Sequence, residues 1–156
     1  MVSEIKFRKY SSEDATIFKS LNIEWLENYF EVEPIDERVL SYPKREILDL
    51  GGHIIMAEIN QKCVGTFAFI NKGKKLFEFS KMAIHPTYRG KGFGNAMMQF
   101  AISFAKKKNW NKIILYSNTI LKNSIHLYSK YGFIEVPIEP NIIYSRGNIK
   151  MELKLN

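Results

Sequence analysis

The sequence predicts an α/β (α+β) fold, one mixed sheet of about seven strands with about four helices packed on it. That expectation rests on three features. Three β-rich runs follow one another between His53 and Ile84, joined by short polar turns in the manner of a meander. After a glycine-rich turn, apolar residues recur at helical spacing at Phe93, Met97, Phe100, Ala101 and Phe104. A strand-then-helix unit over 112–131 then precedes two further strand-like runs. The predicted order is β-α-α-β-β-β-α-β-α-β-β.

IKFRKY (5–10) alternates apolar and polar residues, the pattern of a strand. Ser11 or Ser12 offers an N-cap, with Glu13 and Asp14 in the first helical turn, where the helix dipole favours acids. Phe18, Leu21, Trp25, Leu26 and Tyr29 continue at helical spacing. The segment from Glu31 to Asp36 breaks this helix around Pro34. A second helix is expected from about Pro43 to Leu50, with Gly51 as its C-terminal cap. HIIMAEI (53–59) and CVGTFAFI (63–70) form a hairpin across Asn60-Gln61-Lys62. LFEFSKMAI (76–84) adds a third antiparallel strand, ended by His85-Pro86 because proline cannot continue a ladder. A helix follows from Gly92 or Phe93 to about Lys108. KIILYS (112–117) is a short strand, and Leu121 to Tyr131 a helix capped by Gly132. FIEV and NIKMELKL supply the last two strands.

Length and composition place residues 1–156 in one domain with enough apolar residues, 46%, to bury a core and exclude a disordered chain. No internal repeat or low-complexity segment interrupts it. The start, MVSEIKFRKY, lacks the apolar run of a secretory signal, and runs such as VGTFAFI are too short to span a bilayer. The single cysteine, Cys63, excludes an internal disulfide. The expectation is a soluble cytoplasmic protein.

Of 23 basic and 16 acidic residues, no acid falls between Phe79 and Ile134. That window holds nine cations: Lys81, Arg89, Lys91, Lys106, Lys107, Lys108, Lys112, Lys122 and Lys130. The rest has 14 basic residues against 16 acidic ones, so the net charge of +7 is localised. At its middle lies RGKGFG, residues 89–94. Gly90, Gly92 and Gly94 free the backbone, the following helix points unpaired N–H groups at the same place, and Arg89 offers a bidentate phosphate donor. A phosphate-bearing ligand follows. The turn is not a P-loop, because Gly90-Lys91 is followed by Gly92. It is not a dinucleotide fingerprint either, because Asn95 stands at the third glycine and no acid follows in the window.

RGKGFG resembles the Arg/Gln-x-x-Gly-x-Gly/Ala signature of the GNAT superfamily of acyl-CoA-dependent N-acetyltransferases. EFSKMAIHPTYRGKGFGNAMM is similar to that family's fourth strand, pyrophosphate loop and following helix. NTILKNSIHLYSKYGFIEV is similar to its second signature, an Asn, a Leu-Tyr pair and a Gly-Phe. Two motifs in the right order are far more specific than either alone. The resemblance implies a GNAT-like, mostly antiparallel central sheet, with acetyl-CoA as acyl donor.

Residue by residue, the resemblance implies a carboxylate base at Glu78, where the alternative is a solvent-facing strand glutamate. The backbone of Met82, Ala83 and Ile84 would pair with the pantetheine arm and polarise the thioester carbonyl. Arg89, Gly90, Lys91, Gly92, Phe93, Gly94 and Asn95 would cradle the pyrophosphate, with Lys91 equally readable as a solvated charge. Asn123 would hold the pantetheine arm, and Ser124 stands where the family often has alanine. Tyr128 would protonate the departing thiolate, its phenol neutral beforehand; a core tyrosine is the alternative. Tyr131 is expected to be structural. The acceptor would lie against Trp25, Tyr29, Phe30 and the 31–38 segment, and against residues 140–148, with Arg146 a candidate for a substrate carboxylate. Glu24, Glu27, Glu31, Glu33, Asp36 and Glu37 would attract a cationic amine.

No metal is expected, since His53, His85 and His126 lack ligand spacing, and Cys63 reads as a strand-core thiol. Lys106 to Lys108 suit a helix C-terminus. The expected function is N-acetyl transfer to a primary amine in a ternary complex, with partners limited to acetyl-CoA and that amine. The alternative is an acyl-CoA sensor without turnover. Neither a nucleic-acid nor a membrane partner is expected, because the helix after Gly92 spends its aromatics on a buried face. A homodimer and the acceptor's identity stay open.

Overall fold

The computed structural model describes residues 4–142 and 145–155. Its strands are β1 (Lys6–Lys9), β2 (His53–Ile59), β3 (Lys62–Asn71), β4 (Leu76–Ile84), β5 (Lys112–Ser117), β6 (Ile134–Val136) and β7 (Ile149–Lys154). Its helices are α1 (Ala15–Tyr29), α2 (Pro34–Ser41), α3 (Phe93–Lys107) and α4 (Lys122–Lys130). The strands form one sheet in the order β1-β2-β3-β4-β5-β7-β6. Every pairing is antiparallel except β4 with β5.

Local chemistry sets these elements. Asn60 and Gln61 both adopt left-handed backbone (φ 51° and 66°), the two-residue turn that matches strand twist and closes the β2–β3 hairpin. Alternation then sorts β2 onto two faces. Ile54 and Met56 pack with Phe18, Leu26, Leu40 and Ile47 beneath α1 and α2. Ile55 and Ala57 join Phe67, Phe69, Phe77 and Phe79 beneath α3, which contributes Met97, Met98, Ala101 and Ala105. Phe100 and Phe104 are only partly buried there, packed at the margin of the cluster. Trp110, just past α3, stacks on Phe77 with centroids 3.6 Å apart.

Two expectations are corrected. Pro34 does not only end α1; it opens α2, because a proline in the first turn lacks an N–H that has no partner there anyway. The Glu33 N–H donates to the Asp36 carboxylate at 2.9 Å and fixes that start. The helix expected from Pro43 to Leu50 is a single wide turn over Lys44–Leu48, closed by the Asp49 N–H on the Lys44 carbonyl at 2.7 Å. Gly51 reverses the chain after it at φ 89°.

The parallel pairing of β4 with β5 runs only from Leu76–Lys112 to Glu78–Ile114. Both strands continue beyond it, β4 to Ile84 on β3 and β5 to Ser117 on β7. The sheet therefore splits at Glu78 into a wedge between two diverging strands. No helix among the described residues is long and apolar enough to cross a membrane.

Candidate active site

A cavity of about 220 Å³ fills the wedge. Its walls come from β4 (Glu78 to Ile84), β5 and its exit (Leu115 to Asn118), α1 (Asn22, Trp25, Leu26), α4 with its cap (Leu121, Ser124, Tyr128), and Phe30, Arg89, Arg146 and Gly147. Along β4 the ladder slips. Thr66 pairs with Ala83 and Ala68 with Ser80, so β4 spends one residue more than β3. The extra residue makes a bulge in which Lys81 is left-handed, at φ 56°. Met82, Ala83 and Ile84 lie just past it, with their β5-side backbone beyond the end of the parallel ladder.

The strand ends where the Thr87 N–H donates to His85 Nδ1 at 3.2 Å. One tight turn later comes the glycine loop. Gly90 and Gly92 have φ of 73° and 84°, and Gly92 caps α3. A Cβ at either would meet nothing within 4 Å, so backbone conformation, not crowding, requires glycine there. Helix geometry leaves the amides of Phe93, Gly94 and Asn95 without intrahelical partners. Gly90, Lys91 and Gly92 are exposed. An open loop of amides at a helix N-terminus fits the diphosphate of an acyl carrier. Gly94 answers a different demand: a Cβ there would come within 3.2 Å of Leu127, so it lets α4 approach α3.

Two residues of the loop turn elsewhere. The Asn95 side-chain oxygen accepts from Lys130 Nζ at 2.8 Å and from the Tyr131 hydroxyl at 3.1 Å, tying α3 to α4. Arg89 donates from both terminal nitrogens to Glu24 on α1, while its Nε is buried without a hydrogen-bond partner. Lys91 extends toward the Tyr88 ring, 5.9 Å from its centroid.

Glu78 sits at the apex of the split and is buried, not solvent-facing. Burial pushes its carboxyl above the usual range, against the pull of Lys72, whose Nζ is 3.8 Å away. Tyr128 faces the same cavity from α4. Burial pushes its phenol up to about 12, with a hydrogen bond from Ser124 working against that. Asn123 is not brought in: it is exposed on α4 and absent from the wall.

The predicted acceptor side divides similarly. Trp25 is half-buried and lines the cavity. Tyr29, 45% exposed, packs behind Trp25 at 5.2 Å and lies outside the wall. Arg146 lines the wall, but its terminal nitrogens already donate to Glu33 and to both Asp36 oxygens, each at 2.8 Å. Asp36 is completely buried; burial raises its carboxyl, but Arg146 and the Glu33 amide outweigh that and hold it below the ordinary range. Of the six acids expected to draw a cation, Glu24, Glu33, Asp36 and Glu37 are ion-paired. Within the predicted 140–148 segment, Ile143 and Tyr144 lie outside the described residues.

Lys81, Asn118 and Ser124 belong to the wall, and the sequence reading gave none of them a role. Asn118 donates to the Arg146 carbonyl at 2.6 Å and accepts from the Ile120 N–H at 3.0 Å, pinning the two loops at the cavity mouth. An Asn directly after the KIILYS strand was the available signal. Lys81 carried none, because its bulge depends on pairing with β3.

Comparison with known proteins fits this geometry. Streptothricin acetyltransferase A of Bacillus subtilis is 26% identical over 106 residues, 68% of this chain and 59% of that protein. Rat N-acetyltransferase 8B is 24% identical over 95 residues, 58% of this chain and 43% of that protein. The chain thus spans about half the length of these curated relatives. An acetyltransferase of the GNAT family from Staphylococcus aureus superposes with a TM-score of 0.86 at 20% identity, over 98% of this chain and all of that one. A Vibrio cholerae spermidine N-acetyltransferase, solved with CoA and spermine, gives 0.74 at 24%, over 97% and 95%. At such identities these structures establish the fold. The model of the acetyltransferase (GNAT) family matches residues 17–133, three quarters of the sequence, from α1 through the glycine loop to the end of α4, and the chain belongs to that family.

Proposed function

We propose that this protein is an acyl-CoA-dependent N-acetyltransferase that moves an acetyl group from acetyl-CoA to a primary amine by direct transfer in a ternary complex. The observation that supports it best is a glycine loop at a helix N-terminus beside a split sheet whose cleft holds a buried carboxyl and a partly buried tyrosine. The amides of residues 90–95 hold the diphosphate, with Arg89 beside them. The thioester supplies an acyl carbonyl already activated toward nucleophiles.

The chain's own groups then divide the work. Backbone donors of Met82, Ala83 and Ile84, left outside the parallel ladder, align the pantetheine arm and stabilise the oxyanion. Glu78 takes a proton from the incoming ammonium, directly or through one water, so that the nitrogen lone pair can attack. Its raised affinity for protons suits a base working near neutral pH. As the carbon–sulfur bond breaks, Tyr128 gives its phenolic proton to the sulfur, and the second proton of the nitrogen passes through solvent to restore the phenol. A phenol held near 12 stays protonated until that moment.

Trp25 and Phe30 give the acceptor an apolar bed, and Arg146 in the same wall is held by Asp36. Asn123, exposed on α4, stands outside the cavity wall, where Asn118 and Ser124 supply polar contact. Within the basic window, the glycine loop with Arg89 and Lys91 faces the cofactor's phosphates, while Lys106 and Lys107 end α3 and Lys112 pairs with Glu152. The lone Cys63 suits a cytoplasmic setting.

Thiol release from acetyl-CoA across a panel of amines tests the reading, repeated with Tyr128→Phe and Glu78→Gln. Amine-dependent release that both variants depress supports it. Tight CoA binding with no release for any amine favours a sensor.

A further inference from the structure

Asn22 is a buried polar group with no part in the proton transfers. It stands within α1, lines the cavity and is only 3% exposed. Its Nδ2 donates to the Phe18 carbonyl at 3.0 Å. A carbonyl can only accept, so the amide nitrogen belongs at that end and Oδ1 takes the other. No group among the described residues donates to Oδ1. Buried side-chain acceptors nearly always have a partner, so an unpartnered one in a cavity wall calls for a donor that enters from outside. Asparagine does not serve the helix here either, since its side chain competes with helical backbone.

Trp25 and Leu26 follow on the same face of α1 and line the same cavity, where Phe30 and Leu115 extend the apolar surface. About one helical turn, about 5.4 Å, separates the amide from that surface, the reach of a short alkyl linker. The charged groups are matched among themselves. Arg89 has Glu24, Arg146 has Glu33 and Asp36, and Lys81 has Asp36. Glu78 is the one acid in the wall among the described residues. A second charge on the acceptor, of either sign, would give up its hydration there without finding a free partner. The cavity of about 220 Å³ is also smaller than the roughly 300–1,000 Å³ of common ligand pockets, and the acetyl thioester must share it.

Resting on the acetyltransferase reading above, we propose that the acceptor is a compact monoamine with an uncharged apolar body, an arylalkylamine or branched alkylamine, and that Asn22 Oδ1 accepts a hydrogen bond from its nitrogen. The body lies on Trp25, Leu26 and Phe30. A neutral oxygen suits this task, because it holds the nitrogen both as ammonium and after Glu78 has taken a proton. A carboxylate in its place would favour the charged form and oppose that step. Asn22 binds and orients the amine and carries no proton.

Matched acceptors test this with the full chain. Thiol release from acetyl-CoA is measured with phenethylamine beside phenylalanine, isoamylamine beside leucine, and spermidine alone. For at least one monoamine, kcat/KM is expected to exceed that of its carboxylated counterpart and of spermidine by about tenfold or more. Asn22→Leu keeps the size of the side chain and removes the oxygen. It is expected to raise that monoamine's KM by about tenfold and to leave coenzyme A affinity in calorimetry unchanged. A partly unfolded variant lowers kcat through its active fraction and leaves KM in place, so the split stays informative. A KM unmoved by Asn22→Leu would show that the oxygen serves only water. That result, no release with either monoamine, or a preference for spermidine or an amino acid overturns this proposal alone. Release with none of these acceptors, together with no coenzyme A bound in calorimetry, overturns the reading beneath it as well.

Discussion

Arg89, the first residue of the glycine loop, is clamped by Glu24 of α1, so the loop and the first helix share an ion pair at the edge of the cleft. The pair is partly exposed, its side chains at 23% and 35%. Glu24 therefore competes with a phosphate for the guanidinium at modest cost. Glu24→Gln is expected to tighten coenzyme A binding by about two- to fivefold. Arg89→Ala should weaken it, and calorimetry at low salt reads both. Weaker binding in Glu24→Gln would mean that the acid positions Arg89 for the ligand.

Gly92 and Gly94 are both glycine in the motif for different physical reasons. Alanine at Gly92 must hold φ near 84°, a left-handed strain of about 1 to 2 kcal/mol. At Gly94 the new methyl group meets the tips of Leu127 and Met82, both flexible side chains. The gain in helix propensity from Gly94→Ala, about 1 kcal/mol, offsets that crowding. Thermal denaturation should thus show Gly92→Ala clearly less stable than Gly94→Ala. The reverse order would contradict the assignment of backbone strain to Gly92.

Tyr128→Phe removes one oxygen from the cavity wall and keeps the ring against Phe133. If the phenol protonates the thiolate, kcat falls by about a hundredfold or more while coenzyme A affinity moves little. Because burial holds that phenol near 12, the wild-type rate should show no loss from its ionisation below about pH 10. An unchanged kcat would remove Tyr128 from the proton path.

Glu78 makes a prediction about stability that needs no substrate. Its folded carboxyl holds its proton to a higher pH than the unfolded chain's. The folded state then binds more protons, so this contribution is full below the ordinary glutamate range and is lost as pH rises through the raised value. Glu78→Gln carries no such charge. Its melting temperature should match wild type near pH 4 and exceed it near pH 8, about one unit above neutrality. A variant destabilised by the same amount at both pH values would show that burial does not control the carboxyl. In activity assays, the acid limb of the rate profile should lie above the ordinary glutamate range and flatten in the variant.

Much of this was legible in the sequence where the signal is local. LFEFSKMAI and KIILYS carry their strands to the residue, because alternation and flanking turn residues act over short distances. Pro34 was misread, since one proline both ends α1 and opens α2, and only the Glu33–Asp36 cap distinguishes the two. What stayed hidden is set by distance along the chain. Arg146 meets Asp36 across 110 residues and Arg89 meets Glu24 across 65, so acids that looked like an electrostatic lure are mostly spoken for. The burial of Glu78 depends on where β4 and β5 part, and the Lys81 bulge on a slip against β3. Asn123 was singled out by the resemblance to the second signature, which carries no helix phase; it is exposed, while Ser124 and Tyr128 line the cavity.

The central claim is that the amides from Gly90 to Asn95 hold the diphosphate of an acyl carrier. Calorimetry with coenzyme A, beside pantetheine, which lacks the diphosphate, tests it most directly. The expected result is saturable binding of coenzyme A and binding of pantetheine weaker by at least about tenfold. Equal affinity for the two, or no heat from coenzyme A at all, would contradict it.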